Sequence, residues 1–293
     1  MKRKKIPGLI DIIVVDDPLQ IRAIAEDPGV DRLFRRRPLL NGVILGRRLG
    51  VLSYQGKRFP HQQPCGDSAR AAGQDALWKL YNDKAPEMAE GPEVLDDLAR
   101  WIKGQGPDIG PGILVQQVVG SFFNANYKAT PESWAAAVTI SKASGSGNIP
   151  RLLWWYLSGR IGRAKKLLGS VANNDLFCIH GTTVAVHNIV AGVVKMKGYY
   201  ADEERRRSLT PEKAAGLCLS PPPVVYRQAK SAGEAAGCPF SKYSMFLLQL
   251  GKAYSRREAN DLVFMTGSWS RCPAGRWVPA MLAGVWKRAC ATC

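Results

Sequence analysis

The chain has 293 residues, 46% of them hydrophobic, with eight Trp, nine Tyr and eight Phe. That is enough apolar material for one large packed domain or two small ones, and it excludes a disordered chain. The net charge of +17, from 41 basic and 24 acidic residues, suits an acidic partner such as nucleic acid, anionic lipid or an acidic redox protein. The basic side chains come in short runs at 2–5, 35–37 and 205–207 and form no single stripe, which argues against a nucleic-acid interface.

In chain order, a basic start leads into an apolar stretch over 6–15. Pro7, Asp11 and Asp16-Asp17 interrupt it and no small-residue cleavage site follows, so it does not read as a secretory signal. Residues 10–15 are β-branched and predict a strand. Asp17-Pro18 then predicts a capped helix start carrying Ile21, Ile24 and Ala25 at helical spacing. Residues 50–54 predict a second strand. Amphipathic helices are expected over 69–81 and 92–102, with a Gly/Pro-rich loop over 104–112. A buried helix is expected over 112–123, and another opens at Pro131-Glu132. Residues 144–148 read as a flexible Gly/Ser loop, 152–171 as a basic amphipathic helix, and 176–196 as a long apolar helix central to the fold. A charged loop over 202–207 precedes a helix opened by Thr210-Pro211-Glu212 and stopped by Pro221-Pro222-Pro223. A short strand at 224–226, an apolar segment at 246–250 and a last helix over 277–286 complete the pattern. The fold class is mainly α with a minor β part. There is no internal repeat, and no stretch of ~18 uncharged apolar residues that would predict a membrane span.

Seven cysteines at 65, 178, 218, 238, 272, 290 and 293 are odd in number and irregular in spacing. That fits free thiols in a reducing compartment better than a disulfide framework, so a cytoplasmic location is expected. Cys290 and Cys293 form a CxxC with no second pair and no His partner, a poor zinc site. His180 and His187 lie seven apart, not the four usual for a helical metal pair, and read as pocket or core histidines. No GxSxG, phosphate-loop, HExxH or dinucleotide fingerprint is present. The informative stretch is Phe264-Met-Thr-Gly267-Ser-Trp-Ser-Arg271-Cys272-Pro273, a cysteine between a Gly-containing loop and an apolar helix. A thiolate at a helix N-terminus is favoured by the macrodipole and free N–H groups, and such a sulfur can ligate haem iron.

The order of segments around Cys272 resembles the cytochrome P450 family over about residues 10–287. Residues 13–24 look like its first strand and helix, and 50–59 like its GLLxxDGxxW segment. Cys178-Ile-His-Gly-Thr182-Thr183 falls where its central helix carries an AGxDTT-like motif. Residues 220–227 look like its PPV…R segment, 246–254 like the strand and helix before the cysteine loop, and 263–275 like that loop. The sequence also departs from the family. Ala215 and Cys218 stand where members carry Glu-x-x-Arg. Gly181 replaces the acid of the central helix, and the cysteine loop is one residue longer. The aromatic residue and Arg of the haem-facing helix appear as Phe59 and Gln63.

The resemblance implies a single cytochrome P450-like domain over 1–293, shortened at both ends, binding haem (iron protoporphyrin IX) with Cys272 as the iron ligand. It implies that Phe264 shields the sulfur, that Arg227 and Arg271 pair with haem propionates, with His61 a further propionate partner, and that Gly267 is a cofactor-binding residue of the cysteine loop. Arg227 could equally be an ordinary surface arginine. Thr182 matches the alcohol that helps deliver protons to bound oxygen, or is a threonine back-bonded to its helix, and His180 would lie near the distal face. The implied activity is insertion of an oxygen atom into a C–H bond of a small organic substrate, as a monooxygenase or a peroxide-dependent hydroxylase, with an acidic ferredoxin or flavodoxin as redox partner. A non-catalytic haem-binding relic of this fold and a basic nucleic-acid-binding helical protein are the other readings.

Overall fold

A computed structural model describes residues 1–293 except 91–92, 107, 146–148, 236, 256–259 and 292–293. In chain order the elements are β1 (Lys2–Ile6), β2 (Ile10–Val15), α1 (Pro18–Glu26), β3 (Val30–Asp31), α2 (Leu39–Val51), β4 (Ser53–Tyr54), β5 (Lys57–Arg58), α3 (Ser68–Glu90), α4 (Val94–Lys103), α5 (Pro111–Phe123), α6 (Pro131–Gly145), α7 (Ile149–Leu157) and α8 (Arg160–Val171). Then follow α9 (Leu176–His180), a π-helical turn (Gly181–Ala185), α10 (Val186–Ala201), α11 (Glu203–Ser208), α12 (Pro211–Cys218), β6 (Val225–Ala229), β7 (Gly233–Ala235), β8 (Cys238–Phe240), β9 (Met245–Leu248), α13 (Leu250–Tyr254) and α14 (Trp277–Cys290). The mainly helical class with a small β part is what the sequence predicts.

Local chemistry explains where the elements start. The Asp17 carboxylate accepts the Gln20 N–H at 3.0 Å, and Pro18 occupies the first turn of α1. Thr210 caps α12 in the same way. Several expectations are corrected. Residues 50–54 are not one strand, because α2 runs through Val51 and only Ser53–Tyr54 is extended. The basic helix expected over 152–171 is two helices, broken where Gly159 takes a left-handed φ of 67°. The charged segment 202–207 is the helix α11, with the Asp202 side chain accepting the Arg205 N–H at 3.1 Å. Ser144 and Gly145, expected in a loop over 144–148, belong to α6, and 146–148 lie outside the described residues, as do Pro92, Pro107 and Cys293.

The chain divides into two compact units, each built from separate segments. Unit 1 comprises Met1–Ser53, Pro60–Leu77 and Pro221–Pro273. Its sheet has the order β1-β2-β9-β6-β3, in which β2 and β9 run parallel and the other neighbours are antiparallel. Ile13, Val15, Phe246 and Leu248 from the sheet pack against Ile21 and Ile24 of α1 and Leu262. The edge strand β1, Lys-Arg-Lys-Lys-Ile, is exposed throughout, and its charges guard the sheet edge against further pairing. Unit 2 comprises Tyr54–Phe59, Trp78–Ser220 and Ala274–Cys293. Here α4, α5, α10, α12 and α14 pack together through Leu98, Val115, Val193, Met196, Leu282 and Trp286, with α6 lying on α8. Gly192 lets α12 approach α10, since a Cβ there would stand 2.7 Å from the Cys218 carbonyl oxygen.

One helix among the described residues, Leu176–Ala201, is long and apolar enough to cross a membrane, which the sequence expectation had excluded. Half of that apolar window is buried, and α4, α5 and α12 cover α10, as for a core helix.

Candidate functional site

The cysteine loop lies in unit 1, between the 3-10 turn Asn260–Val263 and Pro273. Backbone bonds close it. The Cys272 N–H donates to the Phe264 carbonyl at 2.7 Å, Arg271 N–H to Ser268 O at 3.0 Å, and Ser268 N–H to Met265 O at 3.0 Å. Met265 sits at a left-handed φ of 52°, which reverses the chain. Cys272 is thus held beside the backbone of Phe264, half-buried and in no disulfide. A 3-10 turn, Pro273–Gly275, follows the cysteine, and α14 starts at Trp277 as the sequence predicts. Gly267 stands at the exposed tip, where a Cβ would come within 2.9 Å of Glu26 Oε1. The Arg271 side chain is half-buried, and its carbonyl accepts from Gln74 Nε2 at 2.9 Å.

Arg227 is fully buried on β6, so it is not a surface arginine. One terminal nitrogen donates to the Tyr226 carbonyl at 2.9 Å and the other to the Ser270 hydroxyl, which in turn pairs with Ser268 Oγ at 2.9 Å. Its Nε has no hydrogen-bond partner. Two arginines that the sequence reading did not single out join it. The guanidiniums of Arg32, Arg70 and Arg227 lie 5.3, 4.7 and 5.2 Å from the ring centre of Trp269. Arg32 is 7% and Arg70 8% exposed, and Arg70 Nε is likewise unpartnered.

Burial lowers the pKa of all three, that of Arg227 to about 9, and mutual repulsion adds to the effect on Arg32 and Arg227. Asp31 opposes the shift on each. This carboxylate is 2% exposed and also takes the Arg32 and Cys65 N–H groups and the Lys230 ammonium. Asp31 is the carboxylate that opposes the repulsion, and the unpartnered Nε atoms of the buried Arg70 and Arg227 are costly unless an anion meets them.

The sequence matching put the arginine of the haem-facing helix at Gln63. The helix starts only at Ser68, after Pro60, Pro64 and Gly66, with Asp67 accepting the Arg70 N–H at 3.1 Å. The arginine that α3 supplies is therefore Arg70. The Asp-x-x-Arg spacing at a helix start was the signal that could have found it; Arg32, after a two-residue strand, carries none. His61 lies in the 3-10 turn Pro60–Gln62 of unit 1.

Thr182 and His180 lie in unit 2. Asp175 caps α9 by accepting the Phe177 and Cys178 N–H groups, both at 2.8 Å. The helix then widens, with Val186 N–H reaching Gly181 O. Such π turns recur at functional sites. Thr182 is fully buried and its hydroxyl donates to Cys178 O at 2.7 Å, the back-bonded arrangement. Gln116 of α5 braces the turn: its amide donates to Thr182 O at 3.1 Å and its carbonyl accepts the Ser133 hydroxyl at 2.7 Å. Thr183 Oγ1 is buried with no partner. A Cβ at Gly181 would meet the Phe123 side chain at 3.0 Å and that of Val119 at 3.1 Å, so any side chain at this position would crowd those two. His180 packs its ring 5.9 Å from Phe59. Trp134 flanks His187, whose Nε2 lies 3.4 Å from Ala137 O. Among the described residues no group of three or more His, Cys, Asp or Glu could hold a metal ion. A haem iron needs only the single thiolate.

No family model matches the chain, and no curated protein does. Solved structures match almost all of it. The mycinamicin VIII C21 methyl hydroxylase MycCI from Micromonospora griseorubida, bound to mycinamicin VIII, superposes with a TM-score of 0.65 at 14% identity, over 99% of this chain and 85% of that one. A cytochrome P450 OleT variant in complex with arachidonic acid gives 0.63 at 12%, over 97% and 82%. P450 RauA, complexed with a biosynthetic intermediate of aurachin RE, gives 0.64 at 11%, over 95% and 83%. The chain has the cytochrome P450 fold, in a divergent form.

Proposed function

We propose that the chain is a haem-thiolate oxygenase that inserts an oxygen atom into a C–H bond of a small organic substrate. The observation that carries this reading is the arginine cradle of Arg32, Arg70 and Arg227 around Trp269, linked through Ser270 to the loop that presents Cys272. A haem brings two propionates, and buried, positively charged guanidiniums, with an unpartnered Nε on Arg70 and on Arg227, are the groups to receive them. Cys272 would ligate the iron as thiolate, with Phe264 beside it, and Arg271 and His61 would be further propionate partners. A bound haem would supply the activation of oxygen or peroxide.

The chain's own residues would do the rest. The bonds from Cys272 to Phe264, from Gln74 to the Arg271 carbonyl and from Arg227 to Ser270 would fix the loop, which the apolar Ala215 and Cys218 cannot do in place of Glu-x-x-Arg. Thr182 would hold a proton at Oγ1 at the π turn, with His180 nearby on the same helix. With a glycine, Gly181, where an acid would stand, a substrate carboxylate or peroxide chemistry suits the site better than proton delivery through a side chain. The basic surface would dock an acidic ferredoxin or flavodoxin. Thiols such as Cys65, Cys178, Cys218 and Cys238, which form no disulfide, favour the cytoplasm. That each unit is assembled from separate chain segments favours one domain over 1–293.

The test is turnover of haem-loaded protein with a surrogate ferredoxin and reductase, or with peroxide, beside Cys272→Ala. Hydroxylated product that the substitution abolishes supports the proposal. Bound haem without turnover under either oxidant favours a non-catalytic relic, the reading that Gly181 and the absent Glu-x-x-Arg pair support.

A further inference from the structure

Helix α7 stands out on the surface of unit 2. Leu153, Trp154, Tyr156 and Leu157 are 55%, 67%, 41% and 84% exposed, while Trp155 is the buried anchor at 5%. Soluble surfaces rarely display four adjacent large apolar side chains. The chain breaks immediately after them at Ser158-Gly159, so Trp154 and Leu157 protrude beside a sharp corner. Charge surrounds this tip. Arg151 and Arg160 stand 5.1 and 5.5 Å from the Trp155 ring, one from each side of the break, and Arg163 donates to the Ser158 carbonyl at 2.8 Å. Lys165 and Lys166 follow on α8. Between Glu132 and Asp175 the sequence holds six basic residues and no acidic one.

We propose that this tip docks on the surface of an anionic lipid bilayer, with Trp154 and Leu157 inserted at headgroup level and the flanking arginines and lysines on lipid phosphates. Two features favour a bilayer over a protein partner. Trp and Tyr with Leu are the residues of the membrane interface. The unbroken basic surroundings match an anionic leaflet. This proposal is independent of haem binding.

The test is co-sedimentation of the full chain with vesicles of mixed phosphatidylglycerol and phosphatidylcholine, and with phosphatidylcholine alone. Binding is expected to the anionic vesicles and much less to the neutral ones. Trp154→Ser combined with Leu157→Ser should weaken it by about tenfold or more, from the lost apolar burial. Arg160→Glu with Lys166→Glu should remove the preference for anionic lipid, which keeps the test alive if the serine pair misfolds. The proposal is overturned if the wild type ignores anionic vesicles, or if the serine pair binds them undiminished. It is also overturned if the patch instead drives a concentration-dependent dimer, or binds an acidic protein, that the serine pair abolishes.

Discussion

A fully buried guanidinium with an unpartnered Nε, as Arg227 has, costs the empty fold free energy. Replacing it with an apolar side chain of similar length should therefore spare the empty protein and hurt the loaded one. Arg227→Met is expected to leave the melting temperature of the haem-free protein unchanged or raised, because removing a buried charge from a repelling cluster offsets the two lost hydrogen bonds. Haem titration should show affinity falling about 10- to 100-fold, the equivalent of one buried charge-assisted contact. Arg70→Met should behave alike, although nothing but a helix-start spacing marked it in the sequence. His187 gives a pH signature. Burial is the largest influence on it and lowers its pKa below the free value of 6.5. The unfolded chain therefore binds the proton more tightly, and the contribution to stability is intact above that free value and lost as the pH falls below it. Urea midpoints at about pH 7 and about pH 5 should diverge for the wild type and diverge less for His187→Gln, which cannot titrate.

Among the elements, the π turn is the one whose packing can be tested most simply. One side chain, Gln116, bonds the Thr182 carbonyl, the Ser133 carbonyl and the Ser133 hydroxyl. Gln116→Leu would remove all three bonds in a buried setting, and denaturant titration should register a loss of about 1–3 kcal/mol. Gly120→Ala tests the neighbouring face of α5, where a Cβ would stand 2.1 Å from the Tyr127 ring; overpacking there should cost about 1–3 kcal/mol.

Elements with a chemical start signal were legible in the sequence. Asp17-Pro18, Thr210-Pro211 and Pro131 each open a helix where expected. Those set by tertiary contact were not. The exposed basic strand β1 owes its form to pairing with β2. Residues 202–207 look like loop because their charges hide a capped turn, and Gly159 looks like one glycine in a helix until its φ is known. Cys272 and Arg227 were legible because a motif carries them. Arg32 was not, since only a sheet pairing with β6 and a ring from the cysteine loop bring it to the cradle.

At the scale of the molecule, unit 1 depends on strands far apart in the chain. β2 pairs with β9, and β3 with β6, across most of the sequence. A fragment of residues 1–220 lacks β6 and β9 and leaves Ile13, Val15 and Ile24 without the Phe246 and Leu248 that cover them. Such a fragment is expected to lose the folding of unit 1, seen as missing strand signal in circular dichroism and rapid proteolysis of its first 53 residues. The central claim, that a P450 fold here holds haem through Cys272, is tested most directly by the carbon monoxide difference spectrum of the reduced, haem-loaded protein. A Soret band at the thiolate position in the wild type, absent in Cys272→Ala, is the predicted result. No such band in the wild type, or the same band in both proteins, would contradict it.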